Sequence, residues 1–146
     1  MRNIALIGNP NSGKSSLFNA LTGANQRVGN WSGVTVDQKK GFCRYEHQVA
    51  CVIDLPGSYT LTGITSEQSR DEKVPYDFLM NQSYDLIVNV VDASQLSRNL
   101  YLTLQLLALK KPMIVVLNMM DRVAELGMRI HIPALSVVVC MPMCGL

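Results

Sequence analysis

Gly8-Asn9-Pro10-Asn11-Ser12-Gly13-Lys14-Ser15 decides the reading of this chain. It satisfies GxxxxGK[ST] between an apolar run, Ile4-Ala5-Leu6-Ile7, and a helical pattern carrying Leu17, Phe18 and Leu21, with Gly23 as its stop. Glycines in such a loop let the backbone fold around phosphates with its N–H groups turned inward, and the helix N-terminus behind it adds a favourable dipole. Lys14 is placed to reach β and γ phosphates, and the hydroxyl of Ser15, with Ser16 beside it, to ligate magnesium. A glycine-rich turn capped by serine would carry the same letters, and the loop alone does not separate ATP from GTP.

Working outward, Asn118-Met119-Met120-Asp121 follows a strand-like run at residues 113–117, and strand ends are where an open α/β sheet places its ligands. A carboxylate at Asp121 can accept from the ring N–H and exocyclic amine of guanine, paired donors that adenine lacks. Asn118 can donate toward the base oxygen and brace the phosphate loop. A loop asparagine with a helix-capping aspartate is the plainer alternative for this pattern. Asp54-Leu55-Pro56-Gly57 ends another strand, so Asp54 can hold magnesium through a water while the Gly57 N–H meets a γ phosphate, although Pro-Gly also marks ordinary turns. In Gly33-Val34-Thr35-Val36, Thr35 is the candidate second protein ligand of magnesium, and otherwise an ordinary strand threonine.

The elements between these motifs alternate as an α/β fold with a mostly parallel sheet requires. Strands are predicted at residues 4–7, 36–45, 48–53, 86–91, 113–117 and 137–141, the second and third an antiparallel pair turning near Glu46-His47. Helices are predicted from Ser15 to Leu21, from about Ser69 to Asn81, on a face of Leu100, Leu104 and Leu107, and from Asp121 toward Gly127. Residues 25–34 read as a long mobile loop, residues 58–70 lack periodicity, and residues 134–136 run straight into the last strand.

With 146 residues the chain fits one domain over residues 1–146. A net charge of +2, with Lys39-Lys40 and Lys110-Lys111 read as solvated faces, leaves no footprint for nucleic acid. Although 48% of residues are hydrophobic, the longest nearly apolar stretches, residues 112–120 and 134–146, fall short of a membrane span. The N-terminus reaches Gly8 too early for a signal peptide, which predicts residence in the cytoplasm. Cys43, Cys51, Cys140 and Cys144 show no zinc spacing and read as small buried thiols, with a soft-metal site of Cys140, Cys144, Met141 and Met143 as the weaker alternative.

The motif order is that of the translation-factor-like GTPases, and several segments are more specific. Residues 8–19, Asn25-Gln26-Arg27-Val28-Gly29-Asn30-Trp31-Ser32-Gly33-Val34-Thr35-Val36, Asp54-Leu55-Pro56-Gly57-Ser58-Tyr59 and Asn89-Val90-Val91-Asp92-Ala93 with Asn99-Leu100-Tyr101-Leu102-Thr103 resemble the N-terminal domain of the ferrous iron transport protein B (FeoB) family. The resemblance implies a Ras-like P-loop GTPase fold: a mostly parallel six-stranded sheet with one antiparallel strand and helices on both faces. It implies GTP and GDP as ligands with Mg2+, and residues 25–35 and 57–70 as switch regions. It further implies a helical regulatory domain and a membrane transport domain in the parent, placement on the cytoplasmic face of the bacterial inner membrane, and room for a homo-oligomer.

Ser58 stands where Ras-type enzymes carry a water-orienting glutamine and is too short for that task, so hydrolysis is expected to be slow. The family resembles potassium-stimulated GTPases, which implies K+ at Asn11 with the carbonyls of Gly29 and Trp31. Loop capping is the plainer role for Asn11. Lys14, Asn11, Thr35 and Gly57 are thereby the expected catalytic set. Two other functions fit the motifs: a soluble ribosome-assembly or RNA-modification GTPase, which would bring a basic RNA-binding domain, and a nucleotide-sensing module with incidental hydrolysis.

Overall fold

A computed structural model describes residues 1–61, 70–139 and 143–145. Its strands are β1 (Arg2–Gly8), β2 (Gln26–Asn30), β3 (Asp37–Tyr45), β4 (Gln48–Asp54), β5 (Leu86–Asp92), β6 (Met113–Asn118) and β7 (Met143–Gly145). Its α-helices are α1 (Lys14–Thr22), α2 (Arg70–Asn81), α3 (Leu96–Leu107), α4 (Met120–Glu125) and α5 (Ile132–Val139). The strands form one sheet in the order β2-β3-β4-β1-β5-β6-β7. β3 pairs antiparallel with both neighbours, whereas β4, β1, β5, β6 and β7 run parallel. Only β3 therefore opposes the rest, as expected.

β1 is central because both of its faces are covered. Ala5 and Ile7 join Cys51, Ile53, Ile87, Val91, Val115 and Leu117 in a core shared with Phe78 and Leu79 of α2, Leu102 and Leu106 of α3 and Val123 of α4. Leu6 turns the other way, into a cluster with Val52, Val90 and Phe18 of α1. The period-2 alternation thus puts α1 on one face and α2, α3 and α4 on the other. Because β4 and β5 flank β1 on opposite sides, the chain changes direction there, and the end of β1 opens onto the crevice where such sheets bind ligands. Among the described residues no helix is long and apolar enough to cross a membrane.

Three expectations need correction. Residues 26–30 are not a loop but strand β2, making seven strands where six were expected. The strand is seated by Gln26, whose amide donates to Asn19 Oδ1 at 2.9 Å, Thr22 Oγ1 at 3.1 Å and the Gly23 carbonyl at 3.0 Å. Residues 132–139 form α5, not the approach to a strand, and β7 lies further on. His131 starts that helix by accepting from Ala134 N through Nδ1 at 3.1 Å, which outweighs the strand preference of its valines. The buried face of α3 is Asn99, Leu102, Thr103 and Leu106, while Leu104 is 56% exposed. Two of those four are polar, so a count of leucines alone picks the neighbouring stripe. The soft-metal alternative at Cys140 and Met141 falls outside the described residues; Cys51 is buried and Cys43 half-buried, both free thiols. Burial pushes the Cys51 thiol upward, opposed by the positive charge of Lys40.

Helix α1 lies close on β3 because Gly41 has no side chain: a Cβ there would meet Thr22 Cβ at 2.5 Å. Gly41→Ala should therefore cost about 1–3 kcal/mol as overpacking, read as a lower urea midpoint. Gly29→Ala in β2, where a Cβ meets open space, should stay within about 0.5 kcal/mol of the parent.

Candidate functional site

The loop between β1 and α1 is held open from below by close packing. A Cβ on Gly8 would come within 2.5 Å of the Val90 carbonyl oxygen and 2.9 Å of Ser12 Oγ. Gly13, at φ 86°, lets the chain pass the amide of Asn118, which a Cβ would overlap. Asn11 also adopts a left-handed conformation at φ 62°, a position asparagine tolerates better than most residues. Ser12 N donates to the Asn9 carbonyl at 3.2 Å, and Leu17 N to the Gly13 carbonyl at 3.1 Å, which passes the loop into the helix. An open cleft of about 430 Å³ results, lined by Asn9, Pro10, Asn11, Gly13, Lys14, Ser15, Ser16 and Gly57.

Lys14 reaches from this loop to Asp54 at the end of β4, where its ammonium donates to Oδ1 in an ion pair whose side chains are each 9% exposed. Leu55 is fully buried beyond it, and Leu55 N donates to the Leu6 carbonyl at 2.9 Å. Past Pro56, Ser58 N donates to the Gly8 carbonyl at 3.0 Å, laying Gly57 against Pro10. The side-chain oxygen and nitrogen of Asn9 and the hydroxyl of Ser12 are buried and find no hydrogen-bond partner among the described residues. Unpaired polar atoms are costly, and here they belong to the glycine-rich loop itself.

On the far side, Asn118 Nδ2 donates to the Ser12 carbonyl at 3.0 Å, the brace expected from the sequence. Met119 then turns left-handed at φ 61° to start α4, which leaves Met120 half-buried and Asp121 exposed in the first turn. Asp121 thus stands exposed to solvent three residues past Asn118. The Ser15 hydroxyl lines the cleft and the Asp54 carboxylate is tied to it through Lys14, oxygen donors of the kind a hard cation such as magnesium takes.

The remaining predicted residues are not gathered there. Thr35 is exposed in a turn closed by Trp31 N donating to the Val36 carbonyl at 2.9 Å and Val34 N to the Trp31 carbonyl at 3.2 Å, with Gly33 at φ 78°. Gly29, Trp31, Gly33, Val34 and Thr35 all lie outside the set of described residues lining the cleft. The Trp31 ring is turned instead onto α2, edge-on to Phe78 with centroids 5.5 Å apart, and Phe78 stacks on Tyr84 at 6.0 Å. Such an edge contact contributes about 0.5–1.5 kcal/mol beyond its area. Trp31 Nε1 is buried with no acceptor among the described residues, at a cost of about 1–3 kcal/mol.

Sequence reasoning missed the aromatic seat and two anchors on α3. Arg98 lies over the Tyr59 ring at 4.2 Å, and Leu61 N donates to Gln105 Oε1 at 2.6 Å, tying the segment after Gly57 to that helix. Arg98 and Gln105 are two turns apart on one face, a spacing visible in the sequence, but nothing in it names their target.

A family model described as Ferrous iron transport protein B matches residues 2–146. The chain is 58% identical over 134 residues to the Fe(2+) transporter FeoB of Shigella flexneri, covering 91% of this chain and 17% of that protein, with the same values for the Fe(2+) transporter FeoB of Salmonella typhimurium. It thus spans about a sixth of the length of these curated relatives. Among solved structures, the cytosolic domain of L. pneumophila FeoB superposes with a TM-score of 0.95 at 44% identity, over 99% of this chain and 62% of that one. An S. thermophilus NFeoB mutant bound to GDP gives 0.91 at 46% identity, over 100% of this chain and 56% of that one.

The cleft geometry makes its own prediction. Gly13→Ala must combine left-handed strain with loss of the Asn118–Ser12 bond, and should cost about 2–3 kcal/mol. Asn118→Ala loses only the bond and should cost about 1 kcal/mol. Equal urea midpoints for the two variants would contradict the close approach at Gly13.

Proposed function

This chain belongs to the ferrous iron transport protein B family, and from that premise we propose that residues 1–146 are a G domain that binds GTP with magnesium and hydrolyses it slowly to GDP and phosphate. The observation that carries this reading is the convergence of Asp54, on Lys14, and Asn118, on the Ser12 carbonyl, at the loop from Gly8 to Ser15. The S. thermophilus relative bound to GDP supports a guanine nucleotide as the ligand.

The loop N–H groups would cradle the phosphates, and the Lys14 ammonium would pass from Asp54 to the β and γ phosphate oxygens. Ser15, Thr35 and, through a water, Asp54 would hold magnesium, which when bound neutralises charge on those phosphates. The Gly57 N–H would meet the γ phosphate. Asp121 would accept from the guanine ring N–H and amine while Asn118 serves both base and loop, with Met119 and Met120 forming the turn between them. Ser58 cannot reach an attacking water, which makes the chemistry slow. Asn11, with the carbonyls of Gly29 and Trp31, would hold K+, supplying positive charge between the β and γ phosphates.

The relatives are Fe(2+) transporters of which this chain matches a small part. We therefore read it as the nucleotide-dependent control domain of such a transporter, at the cytoplasmic face of the bacterial inner membrane. Its partners would be the helical regulatory and membrane domains of the parent chain, with ferrous iron as the parent's cargo and with self-association allowed. No nucleic-acid partner is proposed.

Turnover of GTP should be at least about tenfold faster in KCl than in NaCl, as expected when one stabilising charge is supplied at the transferring group, and Asn11→Ala should abolish the difference. Equal rates in all four conditions would refute the potassium role. Asp121→Asn should weaken GTP by about 10–100-fold and favour xanthine nucleotide in competition binding. Unchanged base preference would remove Asp121 from the site.

A further inference from the structure

Trp31 and Thr35 belong to one hydrogen-bonded turn, so they cannot move independently. Trp31 N donates to the Val36 carbonyl and Val34 N to the Trp31 carbonyl, closing the turn across Thr35. The Trp31 ring is held on Phe78 of α2. Phe78 is itself fixed, 7% exposed, packed in the main core and stacked on Tyr84, whose hydroxyl donates to the Leu79 carbonyl at 3.1 Å. With the ring so anchored, Thr35 stands exposed and outside the phosphate cleft.

The anchor is also built to let go. Its ring contact is opposed by the buried indole N–H, which has no acceptor among the described residues. Among the described residues, a cavity of about 630 Å³ lies beside Trp31, Val74 and Phe78. On either side of Trp31, a Cβ built at Gly29 or Gly33 would meet nothing within 4 Å among the described residues. Two opposed contributions of similar size make a position that a modest competing interaction can empty.

We propose that Phe78 is a positioning residue for the switch segment: while it holds Trp31, Thr35 is kept from the magnesium site, and γ-phosphate binding draws Thr35 in by releasing the indole. The inference rests on the nucleotide reading above and adds to it the residue against which the γ phosphate must compete. GDP, which offers Thr35 no γ phosphate, leaves Trp31 seated.

Trp31 is the chain's one tryptophan, so its emission reports the seat directly. Binding of fluorescently labelled GDP, and its displacement by the non-hydrolysable analogue GMPPNP with Mg2+, is measured first. Trp31 emission should then shift to longer wavelength with Mg-GMPPNP and stay in place with Mg-GDP. Phe78→Leu keeps an apolar side chain in the core but removes the ring. It should give the shifted emission before any nucleotide is added, and raise affinity for GMPPNP relative to GDP by about 3–10-fold, as a population shift of that size requires. A merely structural role would change melting temperature without altering that affinity ratio. Failure of either nucleotide to bind the parent chain would remove the functional reading and the seat's role with it. Binding of both with unchanged Trp31 emission would overturn the seat alone, and the parent measurement decides this even if Phe78→Leu does not fold. An unchanged GMPPNP to GDP ratio in a folded Phe78→Leu variant would equally overturn it.

Discussion

The buried pair of Lys14 and Asp54 is the interaction on which the site depends. Neither charge would be tolerated alone at this depth, since an unpaired buried ion is far costlier than the pair gains. Their union ties the first residue of α1 to the last residue of β4, and so sets where the helix axis begins relative to the strand ends. The pair is also suited to exchange. An incoming polyphosphate offers Lys14 another anion, and a divalent cation offers Asp54 another cation, so both partners can separate without leaving either charge bare. On the nucleotide reading proposed above, a stabilising contact of the protein and the recognition of its ligand would use the same two groups in alternation.

That arrangement needs strand ends aligned to within a residue, and the sheet supplies it. Leu6 lies opposite Asp54 across β1 and β4, Gly8 opposite Val90 across β1 and β5, and Asp92 opposite Asn118 across β5 and β6. The register is fixed by alternation, because a one-residue slip would turn Ala5, Ile7 and their neighbours from one buried face to the other. Polar groups reinforce it at one place. Asn89 of β5 donates to Thr103 of α3 at 2.8 Å, and Asn99 of α3 accepts from Asp92 N at 3.0 Å. Helix α3 is therefore pinned to β5 by directional bonds as well as by Leu102 and Leu106, which is why its buried stripe includes Asn99 and Thr103.

What was legible in the sequence was what depends on local chemistry. The phosphate loop needs glycine where a Cβ would collide, at Gly8 and Gly13, and those letters are visible without coordinates. Asn118 was readable as a brace because its place after a strand leaves its amide few targets. The misreadings share another cause: each element was decided by a partner distant in sequence or by a group outside the pattern. Strand β2 exists because Phe42 N donates to the Asn25 carbonyl at 3.0 Å and because Asn19 and Thr22 of α1 hold Gln26. Its own letters, Gln-Arg-Val-Gly-Asn, favour no strand. The valines of α5 favour a strand, but His131 and the following first turn make a helix start. The pairing of Trp31 with Phe78 joins positions in separate elements that no spacing rule connects.

The switch segment brings these two kinds of information into conflict. The sheet holds its first residues as an edge strand, whereas the proposed magnesium site would need Thr35 brought to the cleft, and one stretch of backbone cannot satisfy both demands together. The edge strand is lightly held: Val28 is 65% exposed, and Arg27 stands directly across from Lys40, a like-charge pair eased by the Phe42 ring under the guanidinium at 5.7 Å. Weak pairing at β2, an indole without an acceptor at Trp31 and glycines in open space at positions 29 and 33 all reduce the cost of leaving the sheet. The central strands are held differently, with Leu6, Ile7, Val91 and Leu117 fully buried. Among the described residues these features gather on β2 and the turn after it, the segment that the proposed reading moves, and the buried strand ends would give it a fixed target.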